Sequence, residues 1–312
     1  MHFEKKKVRL EEHISPQKAL EYVKSPIGVW LDVVKESNEE LREILSLLFP
    51  EYSALILEDC IEDTRPKIER YKDFTFMVIK TVPEKNFDYS QMNIIIGKDF
   101  VLTIRRGFTD VGHIKKFFTR NEKFSVDFVL YKLLEHTLNK YLLLLDAVED
   151  DLERFERIAL AKPKTTNLAD MMHLKRQLFK LHKILAAQRE IIAILFRGEI
   201  KYIKPKTMIY LRDAFDDIAK LIDIEETYRD MMTGLMDVHL SSMGAQTNEV
   251  VKLLTVVATF VLVPTLVSSI YSMNFAYMPM LDWKYGYEFA LILMGASVFG
   301  TYLFFKKKGW IG

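Results

Sequence analysis

The stretch KLLTVVATFVLVPTLVSSIYSMNF (residues 252–275) decides the fold of the C-terminal part of this chain. Beyond Lys252 it carries no charge up to residue 271, a run of about 19 residues that would form a helix ~30 Å long, the thickness of a bilayer's hydrocarbon. A second apolar run, residues 285–305, contains Glu288 as its one charge and ends at three lysines. Two such runs, separated by an aromatic-rich loop, predict two membrane spans.

The flanking charges predict the orientation of these spans. Lys306, Lys307 and Lys308 follow the second span and Lys252 opens the first, whereas the loop between them, residues 272–284, holds Asp282 and Lys284. By the positive-inside rule, both termini face the cytoplasm and the loop faces out. We therefore expect a multi-pass protein of the cytoplasmic membrane, in contact with the lipid bilayer through both spans.

The outer end of the first span carries a specific motif, Tyr271-Ser272-Met273-Asn274-Phe275. It resembles the Tyr-Gly-Met-Asn-Phe signature of the CorA family of divalent-cation channels, which stands at the outer end of the first of two spans. The resemblance continues in residues 247–255, 277–279 and 306–310. Ser272 departs from the signature because it replaces a glycine, and a residue with a Cβ has fewer backbone conformations available. This departure bears on ion preference.

The resemblance implies an architecture and a set of functional residues. The fold would be that of an α+β membrane protein: an N-terminal α/β cytosolic domain, a long helical stalk and two C-terminal transmembrane helices, assembled as a homopentameric funnel. The motif of residues 271–275 would be the selectivity filter. Pore-lining positions on the first span would be Asn248, Leu254, Thr255 and Leu262. The ion taken up would be Mg²⁺, with Co²⁺ and Ni²⁺ as further candidates.

The rest of the chain divides into two cytosolic parts. Residues 1–122 read as an α/β domain, with strands expected at 27–34, 74–82, 92–96 and 100–104 and a helix at 39–48. Residues 123–249 read as a helical stalk region: apolar residues recur every three or four positions, and breaks fall at 163–167 and 198–205. Helices are thus expected from residue 125, over 168–196, and from Lys206 into the membrane domain, residues 250–312.

This last helix meets no proline before Pro264, where we expect a kink. Its soluble part would be on the order of 65 Å long. Two spans from one chain cannot enclose a water-filled path, so four or more copies must associate about an axis.

The chemistry of Mg²⁺ indicates what the pore mouth needs. Mg²⁺ prefers octahedral oxygen coordination and gives up its water reluctantly. A ring of neutral amide oxygens can bind the hydrated ion through its waters, and Asn274 would supply one amide per copy. The alternative for Asn274 is a helix cap. Leu254 and Leu262 would act as apolar constrictions, or else pack against lipid and other helices. Whether Thr259 and Ser269 line the path or bond back to their own helix stays open.

Regulation is expected at acidic residues away from the pore. Asp213 matches the stalk position where the family binds a divalent ion between neighbouring copies, and Asp88 is the candidate partner on the adjacent domain. Intracellular Mg²⁺ bound there would hold the closed arrangement, and its loss would let the carboxylates repel each other. The alternative is that both residues lie on solvated surfaces.

Other functional classes find little support. The formal net charge of +1 gives no reason to expect nucleic acid as a partner, and the single cysteine excludes an intrachain disulfide. The histidines show no spacing typical of a zinc cluster, and no catalytic motif stands out, so we expect no enzyme and no resident cofactor beyond the divalent ions. The N-terminus lacks the apolar region of a cleaved signal peptide.

Two alternatives remain. One is a Zn²⁺, Co²⁺ or Ni²⁺ transporter of the same superfamily with altered selectivity; block by cobalt hexammine would indicate recognition of a hydrated ion instead. The other is a non-conducting membrane scaffold, in which Asn274 would have no role in transport.

Overall fold

The computed structural model describes most of the chain, with short gaps. It covers residues 2–4, 7–34, 37–83, 86–105, 110–120, 125–161, 168–273, 275 and 283–311. The chain divides into two compact units: the first combines Met1–Ile158 with Asn167–Met236, and the second combines Ala159–Thr166 with Asp237–Gly312.

In the described residues of the first unit, seven strands form one mixed sheet of order β2-β1-β3-β7-β6-β5-β4. The strands β3 and β7 run parallel and the other neighbouring pairs are antiparallel. The bounds are β1 (His2–Glu4), β2 (Lys7–Arg9), β3 (Val29–Val34), β4 (Lys67–Arg70), β5 (Phe74–Thr81), β6 (Ser90–Gly97) and β7 (Phe100–Arg105).

Eight helices are described along the chain. Their bounds are α1 (Pro16–Lys24), α2 (Asn38–Leu48), α3 (Ser53–Ile61), α4 (Gly112–Arg120), α5 (Val126–Ala161), α6 (Leu168–Phe196), α7 (Pro205–Tyr271) and α8 (Gly286–Lys307). Helix α7 begins in the first unit and continues into the second.

Helices cover both faces of the sheet. Side chains alternate between the faces along a strand. On β5, Phe76 and Val78 belong to the core formed with α2 and α3, whereas Met77 and Ile79 belong to the core formed with α4, α5, α6 and α7. Every residue of β5 is therefore buried, as expected for a central strand covered on both sides.

A buried polar network joins the sheet to two of these helices. The Tyr141 hydroxyl of α5 donates to the Lys80 carbonyl of β5 over 2.8 Å. The Gln188 side chain of α6 accepts from the Lys80 backbone N–H at 3.2 Å and donates to Tyr141 at 3.0 Å. These bonds satisfy polar groups that lie in an apolar core, where an unmade bond would cost about 1–3 kcal/mol.

The start of α7 is held by a residue of α5. The Asp127 carboxylate is buried and accepts from the Lys204 backbone N–H at 3.1 Å and from the Thr207 hydroxyl at 2.6 Å. It therefore fixes residues at the start of α7 from a neighbouring helix, where a negative charge also interacts favourably with the helix dipole.

In the second unit, the C-terminal part of α7 and the whole of α8 are long and apolar enough to cross a membrane. They contact each other: the rings of Phe260 and Phe305 lie 6.2 Å apart, and Phe305 stacks on Trp310 at 5.5 Å. Of their most apolar segments, however, just 6% and 11% is buried.

Most of the expected elements are confirmed. The structure places strands at β3, β5, β6 and β7 and helices at α2, α6, α7 and α8 within two residues of the predicted bounds. Helix α7 stays helical through Pro264. The break expected at 163–167 lies outside the described residues. The sequence patterns did not predict the short strands β1, β2 and β4 or the short helices α1, α3 and α4.

Candidate ion pathway and regulatory surface

The filter motif begins where α7 ends. Tyr271 is the last helical residue, and the Ser272 and Met273 backbone N–H groups still donate to the Ser268 and Ile270 carbonyls, at 3.0 and 3.3 Å. Met273 is 47% and Phe275 60% exposed. Asn274, the expected amide ligand, lies outside the described residues, as do residues 276–282.

The Ser272 hydroxyl donates to the Ser269 carbonyl at 2.8 Å. This hydrogen bond lies entirely within the last turn of α7, so the serine at the glycine position of the motif satisfies its own hydroxyl locally. The end of the helix therefore accepts Ser272 without a left-handed backbone, since the positive φ angles among described non-glycine residues are confined to His13.

The four expected pore-lining residues all lie on α7, and all are exposed in the single chain. Asn248, Thr255 and Leu262 recur every seven residues, so they form one stripe along the helix. Leu254 lies beside Thr255, about 100° around the helix from it. The four residues thus occupy one stripe and its flank.

The hydroxyls on this span bond back to their own helix. Thr255 and Thr259 donate to the Val251 and Thr255 carbonyls at 2.8 and 2.7 Å. For Thr259 this is the back-bonding that the sequence left open. Each hydroxyl oxygen can still accept, so a back-bonded threonine can also face a water-filled path.

Apolar side chains of both spans are widely exposed in one chain. Leu254 is 68% and Leu262 66% exposed on α7, and Ile292 is 70% exposed on α8. A contiguous apolar surface of this kind needs lipid or further protein to cover it.

The predicted regulatory residue Asp213 lies on an exposed acidic face between α7 and α5. Its neighbour Tyr131 of α5 donates to Glu135 at 2.7 Å. Burial, that hydrogen bond and the charges of Glu135, Asp213 and Asp217 together raise the pKa of the Tyr131 hydroxyl. Three carboxylates thus surround one tyrosine.

Two of these carboxylates have a cationic partner within the chain. Lys132 lies 2.6 Å from Glu135, and Lys220 lies 3.4 Å from Asp217. In the described part of the chain, Asp213 is in no ion pair. The surface therefore keeps one uncompensated carboxylate, and carboxylate oxygens are donors that Mg²⁺ prefers.

Asp88 lies elsewhere in the first unit, in the loop before β6. Its backbone N–H donates to the Asn86 side chain at 2.9 Å, and its own side chain is exposed. It lines an open cavity of about 290 Å³ together with Asp151 and His173. No hydrogen bond or ion pair joins Asp88 to Asp213 in the described chain, so one copy does not bring the two predicted residues together.

Sequence reasoning missed three acidic neighbours. Asp217 stands one helical turn from Asp213, and this spacing predicts a shared face. Glu135 and Asp151 come from α5, and no sequence spacing links them to Asp213 or Asp88. Among the described residues, no three His, Cys, Asp or Glu side chains are gathered closely enough to hold a metal ion.

The comparisons with known proteins fit this arrangement of spans and stalk. The family model of the CorA-like Mg²⁺ transporter protein matches residues 27–307, which include both candidate spans. This chain belongs to the CorA family. The cobalt/magnesium transport protein CorA of Thermotoga maritima is 34% identical over 267 residues, covering 82% of this chain and 76% of the relative.

Relatedness extends to a solved CorA structure. The complete structure of the CorA magnesium transporter from Methanocaldococcus jannaschii superposes with a TM-score of 0.80 at 26% identity, covering 90% of this chain and 91% of the other. The cobalt/magnesium transport protein CorA of that organism is 27% identical over 291 residues, 91% of each chain. The CorA fold, with its N-terminal α/β domain, long helix and two candidate spans, is thus the fold of this membrane protein.

Proposed function

We propose that this chain is the subunit of a homopentameric channel that admits Mg²⁺, and also Co²⁺, into the cytoplasm through the cytoplasmic membrane. The observation that carries the proposal is the CorA match over residues 27–307, which includes both spans and the end of α7. The choice of Mg²⁺ and Co²⁺ rests on relatives named as cobalt/magnesium transport proteins. Both termini would face the cytoplasm, because the lysines flank the spans on that side.

Assembly of several copies follows from the surface of the spans. One chain buries 6% and 11% of their most apolar segments, so most of that surface must meet lipid or other copies. Packing the α7 helices about an axis would turn the stripe of Asn248, Thr255 and Leu262 inward and leave α8 toward lipid. A closed ring is the usual outcome of identical subunits in head-to-tail contact.

Ion selection would take place at the filter, residues 271–275. A ring of Asn274 amides at the outer mouth can bind the waters of a hydrated Mg²⁺, so the ion need not lose its hydration shell on entry. Further in, the apolar Leu254 and Leu262 would gate the path by excluding water.

Feedback would act on the acidic surface of the stalk. The unpaired Asp213, with Glu135 and Asp217 beside it, would bind intracellular Mg²⁺ together with Asp88 of a neighbouring copy. Bound ions would stabilise the closed state by their higher affinity for it, and their release would leave like charges facing each other. Because α7 continues from Asp213 into the first span, the same helix would carry the change to the pore.

Flux through reconstituted protein tests the proposed function. Vesicles containing purified protein and a Mg²⁺-sensitive dye should take up Mg²⁺ and Co²⁺, and cobalt hexammine should block both. Side-by-side uptake of Ni²⁺ and Zn²⁺ gives the ion preference that accompanies Ser272. Uptake of Zn²⁺ with no uptake of Mg²⁺ would contradict this function and support the zinc-transporting alternative. No uptake of any of these ions would support the non-conducting membrane scaffold.

A further inference from the structure

Two histidines far apart in the sequence lie side by side in the first unit. The imidazole rings of His113 on α4 and His136 on α5 have their centroids 4.2 Å apart, with 54° between the ring planes. Metal-ligand spacings in a sequence relate histidines on one helix or loop, and this pair forms across two helices. We propose that His113 and His136 form a binding site for a divalent transition-metal ion such as Co²⁺.

One ring nitrogen of His136 is available as a ligand. Its Nε2 is buried and has no hydrogen-bond partner. A neutral imidazole presents the lone pair of one ring nitrogen, and this is the group that binds a metal ion.

The charged groups near the pair have partners of their own. The Asp110 carboxylate accepts from the Gly112 backbone N–H at 2.7 Å. Arg105 and Lys115 are paired with Asp32, at 3.0 and 2.7 Å.

The distance between the two ring centres is close to the distance that a shared metal ion would require. A metal held at ~2.0–2.1 Å by one nitrogen of each ring would place the ring centres roughly 4.5–5 Å apart. The observed 4.2 Å therefore needs a small separation, and His113 has room for it because its side chain is exposed. Water molecules would complete the coordination.

The donor set determines which ions bind. Imidazole suits Co²⁺, Ni²⁺ and Zn²⁺, whereas Mg²⁺ requires oxygen ligands. The site would therefore distinguish Co²⁺ from Mg²⁺, which a carboxylate surface such as that around Asp213 does weakly. The histidine site is tested by binding alone, so its test does not depend on the proposed transport.

Calorimetric titration of the purified full chain with CoCl₂, in a large excess of MgCl₂ that fills oxygen sites, tests the site. The wild type should bind one Co²⁺ per chain through it, and visible absorption should report nitrogen ligands. Substitution His113→Ala removes one of two imidazoles and should weaken this binding by about tenfold or more, equivalent to ~1.4 kcal/mol. Because His113 is exposed, this variant should fold normally.

The matched control is His13→Asn, since His13 is an exposed histidine and asparagine tolerates its positive φ. This variant should bind Co²⁺ like the wild type. A second check is thermal unfolding: Co²⁺ should raise the melting temperature of the wild type and not of His136→Ala. Equal Co²⁺ affinity in wild type and His113→Ala, or an equal loss in His13→Asn, would overturn the proposal.

Discussion

At the scale of single residues, Asp32 shows how a charge is held inside the sheet. Its side chain is 5% exposed, and it accepts from the Arg105 guanidinium at 3.0 Å on both oxygens and pairs with Lys115 at 2.7 Å. Burial acts to raise the pKa of this carboxyl, but the hydrogen bonds from Arg105 and Lys115 outweigh it and hold the pKa below its ordinary value.

We predict that Asp32→Asn lowers the free energy of unfolding by roughly 2–3 kcal/mol, because it leaves the half-buried Arg105 and Lys115 side chains without their anion. Since the pKa of Asp32 is lowered on folding, its contribution is complete above the ordinary carboxyl pKa and is lost as the pH falls below it. Thermal unfolding at several pH values checks both points. The wild type should lose stability in acid more steeply than Asp32→Asn, and the exposed Asp150→Asn should behave like the wild type.

The sequence predicted some parts of the candidate site better than others. The motif around Asn274 is local, so its position at the end of α7 could be read directly from the order of residues. Contacts between helices could not: Glu135 beside Asp213, and His136 beside His113, depend on how α4, α5 and α7 pack, and periodicity carries no information about that.

At the scale of elements, the turn between α6 and α7 sets where α7 begins. Gly198 has a positive φ of 74°, and a Cβ there would lie 2.9 Å from the Met208 methyl group. A left-handed backbone costs a residue with a Cβ about 1–2 kcal/mol. The direction in which α7 leaves this turn therefore depends on a glycine.

We predict that Gly198→Ala destabilises the first unit by about 1–2 kcal/mol, as measured by thermal unfolding. Gly234, inside α7, is the matched control, because a Cβ there meets nothing within 4 Å. Gly234→Ala should raise stability by up to ~1 kcal/mol through helix propensity. Changes of the same sign in both variants would contradict this account of the turn.

Long periodic elements were predictable because their patterns repeat many times. Helix α6 was expected over 168–196 and occupies Leu168–Phe196, and both spans were visible from uninterrupted apolar runs. The edge strand β4 has four residues, none of them fully buried, so it gives almost no alternation to read. Short helices such as α3 offer two turns of pattern, too few to separate from a strand or loop.

At the scale of the whole molecule, we propose that helix α7 links the acidic surface around Asp213 to the pore. We predict that Asp213→Asn relieves inhibition by internal Mg²⁺, because it removes the one uncompensated carboxylate of the surface. Flux into vesicles loaded with high Mg²⁺ should rise several-fold over the wild type, with no change at low internal Mg²⁺. Asp230→Asn, an exposed carboxylate further along α7, should leave inhibition unchanged.

If Asp213→Asn is inhibited like the wild type, the regulatory role of this surface is wrong while the pore remains. The division of the chain at residues 122 and 249 and the roles of the pore-lining residues stay predictions.

We propose that identical subunits place one Asn274 amide each around a common axis, where a hydrated Mg²⁺ passes. Mg²⁺ uptake into vesicles by Asn274→Ala tests this, beside the wild type and Ser297→Ala, in which the Ser297 hydroxyl normally donates within α8 at 2.7 Å. We expect uptake by the wild type and Ser297→Ala, and at least a tenfold loss in Asn274→Ala at equal pentamer content. Undiminished, cobalt-hexammine-sensitive uptake by Asn274→Ala would show that no such amide ring selects the ion.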